Sequence, residues 1–157
     1  MIARRTEKHL AEAAQKRVER WRRIAREASE QSRRSTPPEI TAPMKLYDAL
    51  LQVARSQTSV VIPTEGSSPS GGTCFSPGGE VKIVLAETER TLMLADILHS
   101  REQPQSLTLA VGPEGGWTPE ELQTFAAAQF IPCSLGDTIL RAETAAIAAL
   151  AIARAEL

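Results

Sequence analysis

The chain has 157 residues, enough to bury a core in a single domain without disulfides or a metal. No apolar run approaches the roughly 18 residues that a helical membrane span needs, and the two cysteines, Cys74 and Cys133, and two histidines, His9 and His99, do not sit at metal-ligand spacing, so neither a membrane helix nor a zinc site is expected. Net charge is −1, but residues 1–34 hold eleven Lys/Arg against five Asp/Glu and the remainder seven against fourteen, so a +6 arm joins a −7 body.

The first residues, MIARRTEKHL, are charged and contain no apolar h-region, so no signal peptide is visible. A cytoplasmic protein is expected. Residues 11–34 predict one long helix with Val18, Trp21, Ile24, Ala25 and Ala28 on a shared face. Arginines cover much of the remaining surface, which implies either a nucleic-acid partner or an ordinary solvated face. Pro37-Pro38 is expected to stop this helix.

Glu39-Ile40 predicts a short strand. Residues 44–54 predict a second helix with Leu46, Leu50 and Val53 on one stripe, and Val60-Val61-Ile62 a short β-like run. Residues 63–80 are rich in Gly, Ser and Pro, too polar to offset ordering entropy, and read as a flexible insertion.

From residue 81 the pattern changes. Residues 81–86 and 107–111 predict apolar strands, 92–98 a short helix, and 130–135 a third strand weakened by Pro132. Residues 118–129 predict a helix with Thr118 as N-cap, Pro119 at N1 and Glu121 closing a capping box. An Ala-rich helix is expected over 142–156, where it serves either as core or as a packing surface. Cys133 reads as a buried small hydrophobe and Cys74 as exposed.

Alternating strands and helices indicate a parallel α/β sheet with helices on both faces, whose ligands bind at the carboxyl ends of the strands. Three loops are placed there, after Leu85, Val111 and Leu135. The second, Gly112-Pro113-Glu114-Gly115-Gly116-Trp117, joins a strand to a capped helix. It is either a plain Gly-Pro turn or a loop whose backbone meets a ligand. It is neither a P-loop nor a dinucleotide fingerprint, because both spacings are wrong. The third, LGDTILRAETA from Leu135, carries Arg141 and Glu143, either as a local pair at a helix start or facing a pocket.

GPEGGW after a strand, followed by LGDTILRAETA, resembles the double signature of the 16S rRNA uridine-N3 methyltransferase family, within the SPOUT class of trefoil-knotted enzymes. EQSRR at 30–34 resembles that family's E-Q-S-x-R element, and IVLAETE at 83–89 its strand entering the knot. The four segments stand in the family order across nearly the whole chain.

The resemblance implies a SPOUT-type parallel sheet ending in a trefoil knot. It implies an S-adenosylmethionine pocket made by Leu85, Ala86 and Glu87, by Gly112, Pro113, Glu114, Gly115 and Gly116, and by Leu135, Gly136, Ile139, Leu140 and Arg141. It implies methylation of a uridine N3 in 16S rRNA of the small ribosomal subunit, with Arg34 and Arg141 stabilising the anion or orienting the base. Glu143 is then placed for positioning or proton removal. Arg17, Arg20, Arg23, Arg26, Gln31, Arg33 and Arg34 are the implied RNA contacts, and a homodimer is implied. Competing readings are a SPOUT enzyme acting on a ribose 2′-oxygen and an inactive fragment that at most binds cofactor or RNA.

Three departures stand out. The family's N-terminal barrel-like RNA-binding domain and the first strand and helix of its SPOUT domain have no counterpart before Met1, so an N-terminally incomplete copy is expected. The insertion at 63–80 is long. Trp117 stands where the family usually has Phe.

Overall fold

The computed structural model describes residues 8–55, 79–100 and 104–157, and only the backbone of 8–16. The expected run at 60–62, Cys74 and nearly all of the insertion lie outside the described residues. The chain divides into two compact units, Met1–Val61 and Ile62–Leu157. Among the described residues no helix is long and apolar enough to cross a membrane, and no cluster of three metal-ligating side chains forms.

The first unit holds α1 (Lys8–Gln31) and α2 (Leu46–Arg55). The prolines do not end α1. It stops earlier, at a Schellman arrangement in which Arg34 N donates to Ser29 O (3.0 Å) and Arg33 N to Glu30 O (3.2 Å). Arg33 takes the left-handed conformation there, with φ 54°. The expected apolar stripe is also rotated. Val18 and Ser29 are buried, whereas Ile24 is 48% exposed and Ala28 is exposed. Ser29 can occupy a buried helix position because its hydroxyl donates to Ala25 O (2.7 Å), leaving no unmet donor. The strand expected at Glu39-Ile40 does not form. The Ile40 carbonyl instead accepts from Arg22 Nε (3.1 Å). On α2, Leu50 is buried with Leu46 and Val53 half-buried beside it.

The second unit contains β1 (Glu80–Leu85), α3 (Leu94–His99), β2 (Ser106–Ala110), α4 (Pro119–Ala127), β3 (Ile131–Cys133) and α5 (Ala142–Glu156). The strands form a three-stranded, wholly parallel sheet in the order β2-β1-β3. β1 begins at Glu80, inside the segment expected to be insertion. Leu92 precedes α3 rather than joining it, because Met93 bridges to Ser134.

Strand alternation sets one face of β1 as Val81, Ile83 and Leu85. These pack with Leu94, Ile97 and Leu98 of α3 and Ala149 and Ala153 of α5 into one core with Cys133. The small α5 residues let that helix lie close to α3. The opposite face carries Lys82 and Glu80, 3.8 Å apart, with Thr108 donating to Glu80 (2.7 Å). α4 starts as expected. Thr118 Oγ1 accepts from Glu121 N (3.3 Å) and Glu121 Oε2 accepts from Thr118 N (2.9 Å), with Pro119 at N1.

Candidate functional site

Parallel strands of similar direction deliver their carboxyl ends to one edge of the sheet. β1, β2 and β3 therefore bring the loops after Leu85, Ala110 and Cys133 together. All three line a single cleft of about 670 Å³, a figure that includes its part open to solvent.

Loop two forms a fixed wall. Gly116 N donates to Pro113 O (2.9 Å), closing a tight turn. Gly116 itself has φ +62°, and a Cβ there would lie 3.1 Å from Glu87 Oε2. At Gly112 a Cβ would meet the Trp117 indole at 3.1 Å, so the backbone passes directly against that ring. Trp117 Nε1 donates to Leu85 O (2.9 Å), which ties loop two to the end of β1. The same indole meets Phe125 edge-on at 4.8 Å, and Phe125 meets Phe130 at 5.1 Å. An aromatic ladder thus runs from the cleft wall through α4 to the start of β3.

Loop three is held at its base. Ser134 N donates to Leu92 O (2.8 Å) and Ser134 Oγ to Gly136 O (2.9 Å), with Gly136 at φ +140°. Beyond Gly136, Asp137, Thr138 and Ile139 are exposed, Ile139 by 68%. Loop one folds into a turn around Glu89. Its Oε1 accepts from Thr91 Oγ1 (2.6 Å), Thr91 N (2.7 Å), Arg90 N (2.9 Å) and Leu92 N (3.2 Å). The Thr91 hydroxyl first, then these backbone amides, hold the Glu89 carboxyl at about 2, below its ordinary value near 4.5. Cys133 lies at the floor with no exposed surface. Burial, with Glu89 nearby as the lesser cause, pushes its thiol up to about 12, so it is a packing group rather than a nucleophile.

Of the residues expected to hold a cofactor, Leu85, Ala86, Glu87, Gly112, Pro113, Gly116, Leu135, Gly136, Ile139 and Leu140 line this cleft. Glu114, Gly115 and Arg141 do not; all three are exposed. Arg141 is the N-cap of α5 and makes no side-chain cap bond, while exposed Glu143 sits in the helix's first turn. Arg17, Arg20, Arg23, Arg26, Gln31, Arg33 and Arg34 belong to the first unit and are all exposed there. The cleft residues that the sequence did not single out include Glu89, Arg90, Trp117, Asp137 and Thr138. A signal existed for Trp117. An aromatic immediately before an N-cap is placed to pack back on its own helix.

The lining suits an amphipathic nucleoside-sized ligand. Leu85, Leu135, Ile139 and Leu140 offer an apolar slot, and Glu87, Glu89 and Asp137 bring negative charge. Residues 1–154 match the family model described as an RNA methyltransferase domain. The chain is 36% identical over 147 residues to ribosomal RNA small subunit methyltransferase E of Synechocystis, covering 93% of this chain and 41% of that protein. Among solved structures, that of a ribosomal RNA small subunit methyltransferase E from Neisseria gonorrhoeae bound to S-adenosyl methionine is similar with a TM-score of 0.65 at 30% identity, over 98% of this chain and 51% of that one. A putative methyltransferase from Legionella pneumophila, in complex with its cofactor SAM, gives a TM-score of 0.66 at 27% identity, over 92% of this chain and 48% of that one. The chain therefore spans about half the length of these relatives.

Proposed function

The chain belongs to the RNA methyltransferase family, and on that premise we propose that it is the S-adenosylmethionine-binding domain of an enzyme that methylates N3 of a uridine in 16S rRNA of the small ribosomal subunit. The observation that carries this reading is the single cleft at the carboxyl edge of the sheet, lined by both the GPEGGW and the LGDTIL segments. The reading treats residues 1–157 as one SPOUT domain with its C-terminal part threaded as a trefoil knot. The parallel order β2-β1-β3 is compatible with that path.

When bound, S-adenosylmethionine supplies a methyl group already activated on a sulfonium. Leu85, Leu135, Ile139 and Leu140 would hold the nucleoside portion, and Gly112 and Gly116 let Trp117 and Glu87 pack against loop two beside it. Glu87 and Asp137 favour its positive charge. Uridine N3 carries a proton at neutral pH and is a poor nucleophile. The protein's task is to orient the base and to stabilise the anion that deprotonation leaves. Arg141 and Glu143, at the start of α5 just after loop three, are assigned to orientation and proton removal, and Arg34 to anion stabilisation. Arg17, Arg20, Arg23, Arg26, Gln31 and Arg33 contact the RNA, the arginines chiefly at phosphates, so binding falls steeply with salt. A homodimer forms through the outer face of α5, where Ile147 and Leu150 are 70% and 64% exposed. The enzyme works in the cytoplasm.

The test is direct. Calorimetry of the 157-residue chain with S-adenosylmethionine should show one site. Incubation with small subunits lacking the modification should yield 3-methyluridine on nucleoside mass spectrometry. A 2′-O-methylated nucleoside instead would move the protein to a different SPOUT reaction. Binding without any transfer would mark an incomplete enzyme.

A further inference from the structure

The charges facing the cleft are unequal. Three carboxylates line it, from Glu87, Glu89 and Asp137, and among the lining residues Arg90 is the sole cation. Glu89 is already engaged, since one of its oxygens accepts the four hydrogen bonds that shape the turn at 89–92. Its charge remains, so the lining carries three carboxylates against one guanidinium and favours a ligand with more positive than negative groups. The proposed cofactor carries the complementary set: a sulfonium, an α-ammonium and a single α-carboxylate.

The turn also explains why Arg90 is available. Glu89 N donates to Ala86 O (3.1 Å), which anchors the turn to the end of β1. The Arg90 amide donates to the Glu89 carboxylate (2.9 Å), which fixes its backbone at the rim. The guanidinium forms no ion pair among the described residues, although carboxylates stand on neighbouring loops. An arginine whose backbone is fixed at the rim of an otherwise acidic cleft, and whose exposed guanidinium has no ion-pair partner among the described residues, can receive one oxyanion, and its planar fork matches a carboxylate with two parallel hydrogen bonds.

We propose that Arg90 binds the α-carboxylate of S-adenosylmethionine and so sets the orientation of the cofactor's amino-acid end. The proposal rests on the reading of the cleft as the site of that cofactor. Arg90 then acts on binding and orientation, with Glu89 as the positioning residue that holds its turn.

Two ligands separate this role from a general structural one. S-adenosylmethionine has the carboxylate; 5′-methylthioadenosine shares its adenine, ribose and sulfur but lacks the amino-acid portion. Both are titrated calorimetrically into the full 157-residue chain and into Arg90→Ala and Arg90→Lys. Arg90→Ala should weaken S-adenosylmethionine binding about tenfold, the scale of one charge-assisted contact at a part-open site, and leave methylthioadenosine affinity unchanged. Arg90→Lys should recover part of the loss. Equal weakening of both ligands, or no change in either, overturns the assignment while the cofactor site stands. Failure of the unaltered chain to bind either ligand brings down the cofactor reading itself, and this proposal with it.

Discussion

The two helices that follow the cleft's glycine loops begin in opposite ways. α4 starts from a complete capping box, with Pro119 at N1 and an aromatic ladder behind it. α5 starts at Arg141 with no side-chain cap bond, after three exposed loop residues. The first helix start satisfies its own amides, and the second leaves them without a side-chain acceptor. One wall of the cleft is therefore built before any ligand arrives. The other presents the exposed Ile139 and leads into an α5 start with no side-chain cap bond.

The contrast can be broken most forcefully at Phe125, which is 1% exposed and joins both ring contacts. Phe125→Ala should cost about 3–5 kcal/mol, a large part of a typical domain's stability, and denaturant unfolding would show it. A loss below about 1 kcal/mol would mean that the ladder does not brace the wall. Next in size is the pair of helix starts. Thr118→Ala should cost about 1 kcal/mol, and Arg141→Ala should stay within about 0.5 kcal/mol while lowering methyl transfer. Equal destabilisation by both would erase the distinction between the walls.

Trp117→Phe sharpens the comparison further. It keeps a ring against Phe125 but removes the donor to Leu85 O. Stability should fall by about 1 kcal/mol, with S-adenosylmethionine affinity falling alongside it, because the tie between loops one and two is lost. Unchanged affinity would show that the tie does not shape the pocket.

The smallest effect belongs to loop one. The Glu89 carboxyl titrates well below its ordinary range, so the charged form favours the folded turn. Its contribution is present above about pH 4.5 and is lost as pH falls toward about 2. The Thr91 amide resonance should shift over that window, and in Glu89→Gln it should not.

Much of this was legible from residues alone, and the misses share a cause. The α4 start was readable because Thr118, Pro119 and Glu121 act within one turn of chain. The edge of the sheet that bears the cleft followed from strand direction. Local chemistry did not reveal the α1 end, where an arginine rather than a glycine adopts the left-handed conformation, or the buried Ser29, whose hydroxyl is satisfied within its own helix. The tie of Trp117 to Leu85 joins loops 32 residues apart, which no spacing encodes, although its place before the N-cap marked it as a packing residue. The residues of one motif do not share one environment. Gly112 and Gly116 face the cleft, but Glu114 and Gly115 between them are exposed at the outside of the turn.

The strand order carries a consequence for how the molecule is made. β1 is the middle strand, yet it is the first of the three to be translated, and the residues that pair with it follow 26 and 48 positions later, so closure of the sheet depends on sequence-distant pairing, which slows folding. Until Cys133 has cleared the ribosome, the largely apolar run from Val81 to Leu85 can shield itself only on β2 and α3. Synthesis at about 5–20 residues per second leaves that run open to chaperones for seconds, and a variant that delays β3 lengthens the exposure without altering the finished fold.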